Sequence, residues 1–252
     1  MRIDMPSEAQ VPELLQLWKS AFGDHGGFWE LFLETAFLPE HCRCITEGGQ
    51  TTAALYWFEC SCSGQKMAYV YAVVTHPDHR GRGLCRTLLT DTQDHLSGHG
   101  YTAVLLVPEQ PALRRMYEKL GYRTCTAVSE FSCIAGDSAA SLRTIGPAEY
   151  AALRRKYLPE NSVIQEGENL TFLSAQAQFY AGQDFLLAAY EDNGTLYGME
   201  LLGNPDTAPC IVKSLGCEKG HFRTAGNDKP FAMIYPLATI AITPAYFGFA
   251  FD

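Results

Sequence analysis

The sequence predicts an α/β fold in two halves, on three features of the 252-residue chain. Apolar runs of strand length, "KMAYVYAVVT" and "TAVLLVPE", alternate with stretches whose apolar residues fall three and four apart, the spacing of one helix face. The small and polar segment "IAGDSAAS", at 134–141, has the composition of a linker. Beyond it the coarse order of elements begins again without obvious residue identity, which reads as a degenerate duplication. The predicted domains are 1–135 and 140–252, the second being the smaller.

Taken in order, Ser7 and Gln10 form a capping box ahead of a helix with Val11, Leu14, Leu15, Trp18, Ala21 and Phe22 on one face. An aromatic helix follows over 28–37. "CRCITE" and "TAALYWFEC", joined by "GGQ", read as a hairpin, and "KMAYVYAVVT" as a long central strand. A helix over 83–97 turns Leu84, Cys85, Leu88, Leu89, Thr92 and Leu96 to one side. "TAVLLVPE" is a buried strand. Pro111 then opens a helix at the position proline favours, burying Ala112, Leu113, Met116, Tyr117 and Leu120. Gly121 stops it, and "YRTCTAVSEFSC" reads as one strand. In the second half "LRTIGPAEYAALRRKYL" gives a strand and a helix, and "NLTFLSAQAQFY" a helix. A hairpin turns at Asn193-Gly194. "CIVKSLG", "PFAMIYPLA" and "AYFGFAFD" read as further strands.

Composition narrows the function classes. Hydrophobic residues make up 47% and charged residues 19%, enough to bury a core. Lys and Arg number 19 against 28 Asp and Glu, a net charge of −9, which argues against a nucleic-acid partner held by phosphate neutralisation. "MRIDMPSEAQ" has no signal-peptide pattern, and no apolar run reaches membrane-spanning length. The nine cysteines are odd in number and scattered, as in a reduced cytoplasm, so a cytoplasmic protein with no membrane partner is expected. Two C-x-C pairs, Cys42/Cys44 and Cys60/Cys62, sit in strand-like sequence without the spacing of a zinc knuckle, so no metal is expected. The residues do not specify an oligomeric state.

The chemistry-bearing stretch is "HPDHRGRGLCR" at 76–86, between the central strand and a helix. The first N–H groups of a helix lack internal partners and carry the positive end of its dipole, and glycines let the backbone close on an anion. A nucleotide P-loop needs Lys followed by Ser or Thr after its last glycine, and Leu84-Cys85 stands there. A dinucleotide fingerprint needs a third glycine, and Arg86 takes that place.

Arg80-x-x-Gly83-x-Cys85 resembles instead the acyl-CoA pyrophosphate loop of the GNAT acetyltransferases, Gln/Arg-x-x-Gly-x-Gly/Ala. "RRMYEKLGY" is similar to the family's later helix, which carries a tyrosine and ends Lys-x-Gly-Phe/Tyr. Cys85, where Gly or Ala is usual, is a departure, as is Gln110-Pro111 where an asparagine often opens the tyrosine helix. The resemblance covers about 1–135. It implies a mixed, mostly antiparallel sheet flanked by helices and splayed between its fourth and fifth strands, with a second, degenerate GNAT-like domain behind it.

It also implies a mechanism. Acetyl-CoA, the co-substrate, would lay its pantetheine along Val73, Val74 and Thr75 as an added strand. Amides of Gly81, Arg82, Gly83, Leu84 and Cys85 would hold the pyrophosphate, helped by Arg80 and Arg82. An amide near Val74 would polarise the thioester carbonyl. The amine of a small molecule or peptide would attack directly, with Tyr117 as general acid toward the thiolate. Several relatives place a glutamate mid-strand before the loop; this strand has Tyr69 and Tyr71. Glu59 and Glu109 are candidate bases, and the carboxylate of Asp252 a third; surface charge explains each as well. His76 and His79 fit a base or a phosphate ligand, but loop histidines are more often solvated. Trp29, Trp57, Tyr69 and Tyr71 fit an acceptor pocket and core packing equally. The nearest loop-like fragment of the second half, "HFRTAGNDKP", has Asp228 and Pro230 where a helix would open, so a second CoA site is not expected. The competing readings are an acyl-CoA-binding regulatory module with little catalysis, and an interaction protein without CoA.

Overall fold

The first half begins with β1 (Arg2–Asp4), α1 (Val11–Phe22) and α2 (Phe28–Thr35), in a computed structural model that describes residues 1–23, 27–239 and 242–251. The predicted hairpin is β2 (Cys42–Glu47) and β3 (Gln50–Cys62). Gly48 and Gly49 join them with φ of 58° and 85°, the left-handed pair that a two-residue hairpin turn requires. β4 (Gln65–Thr75), α3 (Leu84–Gly98), β5 (Ala103–Leu106) and α4 (Pro111–Lys119) follow.

The predicted strand over 122–133 divides in two. β6 (Arg123–Thr124) lies in one sheet and β7 (Ala127–Ile134) in another. The second half continues with β8 (Leu142–Ile145), α5 (Pro147–Tyr157), α6 (Glu168–Ser174), β9 (Gln178–Gly182), β10 (Phe185–Asp192) and β11 (Thr195–Gly203). It ends with α7 (Ala208–Ser214), β12 (Lys219–Ala225), β13 (Lys229–Pro230) and β14 (Met233–Pro236).

Two seven-stranded, mostly antiparallel sheets result, ordered β1-β2-β3-β4-β5-β14-β6 and β13-β7-β12-β11-β10-β9-β8. The chain falls into two units, Met1–Arg123 with Met233–Ala241, and Thr124–Ala232 with Ile242–Asp252. Neither unit is a continuous stretch such as 1–135 or 140–252. The sixth strand of each sheet comes from far along the chain from its partner: β14 pairs with β5, and β7, which precedes β8, with β12.

The duplication is plain in the pairing. β1 to β4 are antiparallel neighbours and β5 runs parallel to β4. β8 to β11 repeat that pattern, and β12 runs parallel to β11. A helix bridges fourth and fifth strands each time, α3 in one unit and α7 in the other. Both fourth strands also carry a bulge: at Ala72-Val73, and at Met199 between Gly198 and Glu200.

Three expectations are corrected. "CIVKSLG" is α7, not a strand; Pro209 sits in its first turn, and Ala208, Ile211 and Val212 turn inward together. A short apolar run does not distinguish a buried helix from a strand by periodicity. "NLTFLSAQAQFY" holds the short α6 and then enters β9. "AYFGFAFD" makes one bridge, Ser162 to Tyr246, rather than a strand, although Tyr246, Phe247, Phe249 and Phe251 are buried.

That last segment is held from within the second unit. Glu200 is fully buried and takes a two-pronged ion pair from Arg154, 2.7 Å from Nε and 2.9 Å from Nη2. Tyr150 and Tyr246 donate to the same carboxylate at 2.8 and 3.1 Å. The Arg154 guanidinium lies 4.3 Å over the Phe249 ring. Gln165 bonds both the amide and the carbonyl of Phe249, at 3.0 and 2.8 Å.

In the first unit the sheet separates two cores. Beneath α1 and α2 lie aromatic rings, among them Trp18, Trp29, Phe32, Tyr56, Phe58 and Tyr71. On the other face Leu55, Trp57, Val70, Leu88, Val104 and Tyr117 share a second cluster. α1 follows the predicted face with Leu17 added, while Phe22 is 39% exposed; Ala112 of α4 is exposed. Among the described residues no helix is long and apolar enough to cross a membrane, and no three metal-ligating side chains converge.

Candidate active site

The site grows from the end of β4. Ala72, at the bulge, has φ of 52°, a left-handed conformation that alanine adopts at a cost. The Trp18 indole N–H, itself buried, donates to the Ala72 carbonyl at 3.1 Å and so satisfies a main-chain group that the bulge turns out of the ladder. β4 pairs with β5 from Met67 to Tyr69 and no further. From Val70 to Thr75 the β4 edge toward β5 therefore has no strand beside it among the described residues. Val73, Val74 and Thr75 lie on that open edge, where an extended ligand can add as a strand.

The chain then makes a 3-10 turn, Pro77–His79. The His76 amide donates to the Thr52 carbonyl at 2.8 Å, and its Nδ1 accepts from the Asp78 amide at 3.3 Å. His76 thus serves as a cap. Gly81 and Gly83 follow with φ of 76° and 79°, and a Cβ at either would meet no atom within 4 Å. The first main-chain bond of α3 runs from the Thr87 amide to the Gly83 carbonyl at 3.0 Å. The amides of Gly81, Arg82, Gly83, Leu84 and Cys85 have no protein acceptor among the described residues. Five donors at the positive end of a fifteen-residue helix fit a diphosphate. Arg80 folds back, its Nε 3.2 Å from the Thr75 carbonyl. Arg82 is forked onto Glu47 at 2.8 and 3.1 Å, which holds the Glu47 carboxyl below the usual carboxylate range.

The second unit repeats the connection without the cradle. After β11 comes Asn204 and a 3-10 turn, Pro205–Thr207, and the Asn204 side chain accepts from the Asp206 amide as His76 does from Asp78. Thr207 then passes straight into α7. "HPDH" thus corresponds to "NPDT", and the residues Arg80, Gly81, Arg82 and Gly83 have no counterpart. "HFRTAGNDKP", the expected counterpart, is instead β12, its turn and β13. β11 and β12 also stay paired past the bulge, at Leu201 and Thr224. Loop and open edge are therefore both missing from the second unit.

Tyr117 is the buried residue of α4. Burial first, then the neighbouring Cys85 and Tyr122, push its hydroxyl well above the ordinary tyrosine range. Burial likewise pushes the Cys85 thiol up to about 11. Tyr117 meets Tyr122 edge-on at 5.6 Å, and Gln93 donates to the Tyr122 hydroxyl at 3.1 Å. The loop, the start of α3 and the tyrosine helix thus converge.

The carboxylates divide. Glu59 pairs with Ala68, six residues before Val74, which places it about 20 Å down the strand. It is occupied by Lys66 at 2.8 Å and Tyr101 at 3.0 Å, so the fold does not bring it to the loop. Glu109 is exposed three residues beyond β5, which runs parallel to β4 and so ends at the loop end of the sheet. Asp252 lies outside the described residues. Of the acceptor candidates, Trp57 packs with the α3 face, whereas Trp29 stacks on Tyr71 with ring centres 6.4 Å apart.

Trp18 as support for the bulge, Glu47 as partner of Arg82 and the second-half cap are not evident from sequence. Two signals for them exist there: a buried indole N–H needs an acceptor, and x-Pro-Asp recurs before both bridging helices.

Residues 2–125 match the family model of the acetyltransferase (GNAT) domain. The first half of the chain is a GNAT acetyltransferase domain. No curated protein matches the chain. Among solved structures, a GCN5-related N-acetyltransferase from Kribbella flavida aligns with a TM-score of 0.71 at 18% identity, over 94% of this chain and 72% of its own. One from Anabaena variabilis gives 0.72 at 14% identity, over the same 94% and 72%. A tandem GNAT protein from the clavulanic acid biosynthesis pathway gives 0.56 at 12% identity, over 95% and 100%. These likenesses extend the GNAT fold across both halves. The chemistry of the matched family is acyl transfer.

Proposed function

We propose that the protein transfers an acetyl group from acetyl-CoA to a primary amine, in one direct step at the first unit. One observation carries this reading: five unpaired amides of residues 81–85 stand at the end of the unpaired edge of β4, with Tyr117 packed behind them. The amides and Arg80 take the diphosphate, and Val73, Val74 and Thr75 hold the pantetheine. Glu109 accepts the proton of the incoming ammonium through water. A C–N bond forms as the C–S bond breaks, an amide of the β4 edge stabilises the charge on the carbonyl oxygen, and Tyr117 protonates the departing thiolate. A hydroxyl held above its usual range remains protonated at neutral pH, as a general acid must.

Thermal unfolding with and without acetyl-CoA tests the reading. Acetyl-CoA raises the Tm of the wild type, and Gly83→Glu abolishes the rise, since it sets a negative charge in the cradle at φ of 79°. Equal rises in both proteins overturn it. A regulatory acyl-CoA-binding role is the second reading, favoured by Glu59 lying away from the loop. Release of free thiol from acetyl-CoA in the presence of any amine, polyamine or peptide N-terminus rejects that alternative.

A further inference from the structure

The Gly48-Gly49 turn ends β2 at Glu47, beside the glycine loop. Arg82, 35 residues away in sequence and lying between Gly81 and Gly83, reaches it with both prongs: Nη1 to Oε2 at 2.8 Å and Nη2 to Oε1 at 3.1 Å. The same Nη1 donates to His79 Nδ1 at 2.8 Å, and that nitrogen lies 3.4 Å from Glu47 Oε2. A guanidinium fork fits a carboxylate and a phosphate with the same two parallel bonds. The charged side chain nearest the middle of the cradle is therefore already engaged by an anion of the protein itself.

We propose that Glu47 competes with the diphosphate of CoA for Arg82. The inference rests on the CoA-dependent reading above. When the diphosphate enters, Arg82 exchanges Glu47 for phosphate oxygen; when the product leaves, Glu47 takes Arg82 back. The exchange is a small rearrangement, because the Arg82 side chain is 50% exposed and can turn without moving Glu47, which is 20% exposed, and an ion pair that water reaches is weakened by it. The main chain of the loop is held by bonds that do not involve Glu47. His76 is fixed by Thr52, the 3-10 turn closes on itself and Arg80 returns to Thr75, all without Glu47. Its effect is instead on affinity: a carboxylate beside the cradle weakens CoA binding and speeds its departure, which matters where product release limits turnover.

CoA affinity by calorimetry and CoA dissociation by stopped flow, on the full chain, test this. Glu47→Gln, close in shape but uncharged, binds CoA about 3- to 10-fold tighter, with the gain in a slower dissociation. Arg82→Gln binds about 10-fold more weakly. If the wild type does not bind CoA, the underlying reading fails and the inference with it. If the wild type binds and Glu47→Gln binds equally or less well, Glu47 is a fixed support of the loop and the competition is overturned. Tighter binding by Glu47→Gln with Arg82→Gln unchanged also overturns it, because Glu47 would then act by repulsion alone. A crystal structure of the wild type with CoA tests the exchange without any variant: Arg82 turned from Glu47 onto phosphate supports it, and Arg82 still forked on Glu47 overturns it.

Discussion

Tyr117 shows how far a single side chain can be read in advance. The resemblance of "RRMYEKLGY" to the GNAT tyrosine helix implies a general acid, but only the fold sets Cys85 and Tyr122 beside it and buries it. Removing the hydroxyl while keeping the ring separates chemistry from packing. Tyr117→Phe is expected to lower kcat about 10²- to 10⁴-fold, the range of a lost general acid, with little change in acetyl-CoA affinity. Unchanged turnover clears Tyr117 of the role, and steady-state kinetics beside a binding titration decides. Glu59 shows the opposite limit. β3 runs against β4, so nearness to the aromatic run in sequence does not reveal which end of the sheet it occupies. Trp18 is legible as core but not as a prop, since amphipathic spacing carries no information on where an indole N–H finds its acceptor.

The connection between fourth and fifth strands is the most legible element, and the reason is physical. Positive φ at Gly81 and Gly83, and a helix starting at once afterwards, are local demands that local sequence must meet. The second unit supplies a natural control, for there the same capped 3-10 turn enters its helix directly. Deleting Arg80, Gly81, Arg82 and Gly83 joins His79 to Leu84 as Thr207 joins Ala208. The shortened chain is expected to fold cooperatively and to lose the Tm rise with acetyl-CoA entirely. A retained rise would place the anion site elsewhere. α7 reads as a strand for the complementary reason: seven residues hold too few turns for a helical period to stand out from a buried strand.

Pairing between strands distant in sequence is a property of the whole molecule, and nothing local signals it. β7 and β14 are each recognisable as strands, but which sheet they complete depends on partners far away in the sequence. The buried Arg154–Glu200 pair is equally non-local, joining α5 to β11 and both to Tyr246 and Phe249. Buried charges depend on each other. Arg154→Met leaves the carboxylate with two tyrosine donors and no countercharge, and is expected to cost about 3–5 kcal/mol in denaturant unfolding. Replacing both partners by apolar residues should recover most of that. A loss under about 1 kcal/mol for the single change would mean that water reaches Glu200.

The late arrival of β14 also bears on how the chain is made. Ala103–Leu106 is almost wholly hidden, and the outer neighbour that hides one side of it is synthesised roughly 130 residues afterwards. At ordinary translation speeds of about 5–20 residues per second, a sticky ribbon edge stands bare for about 6–26 s in every nascent molecule. Chaperone demand should peak in that interval, and a gene severed at the linker would yield two fragments, each short of the piece that closes it.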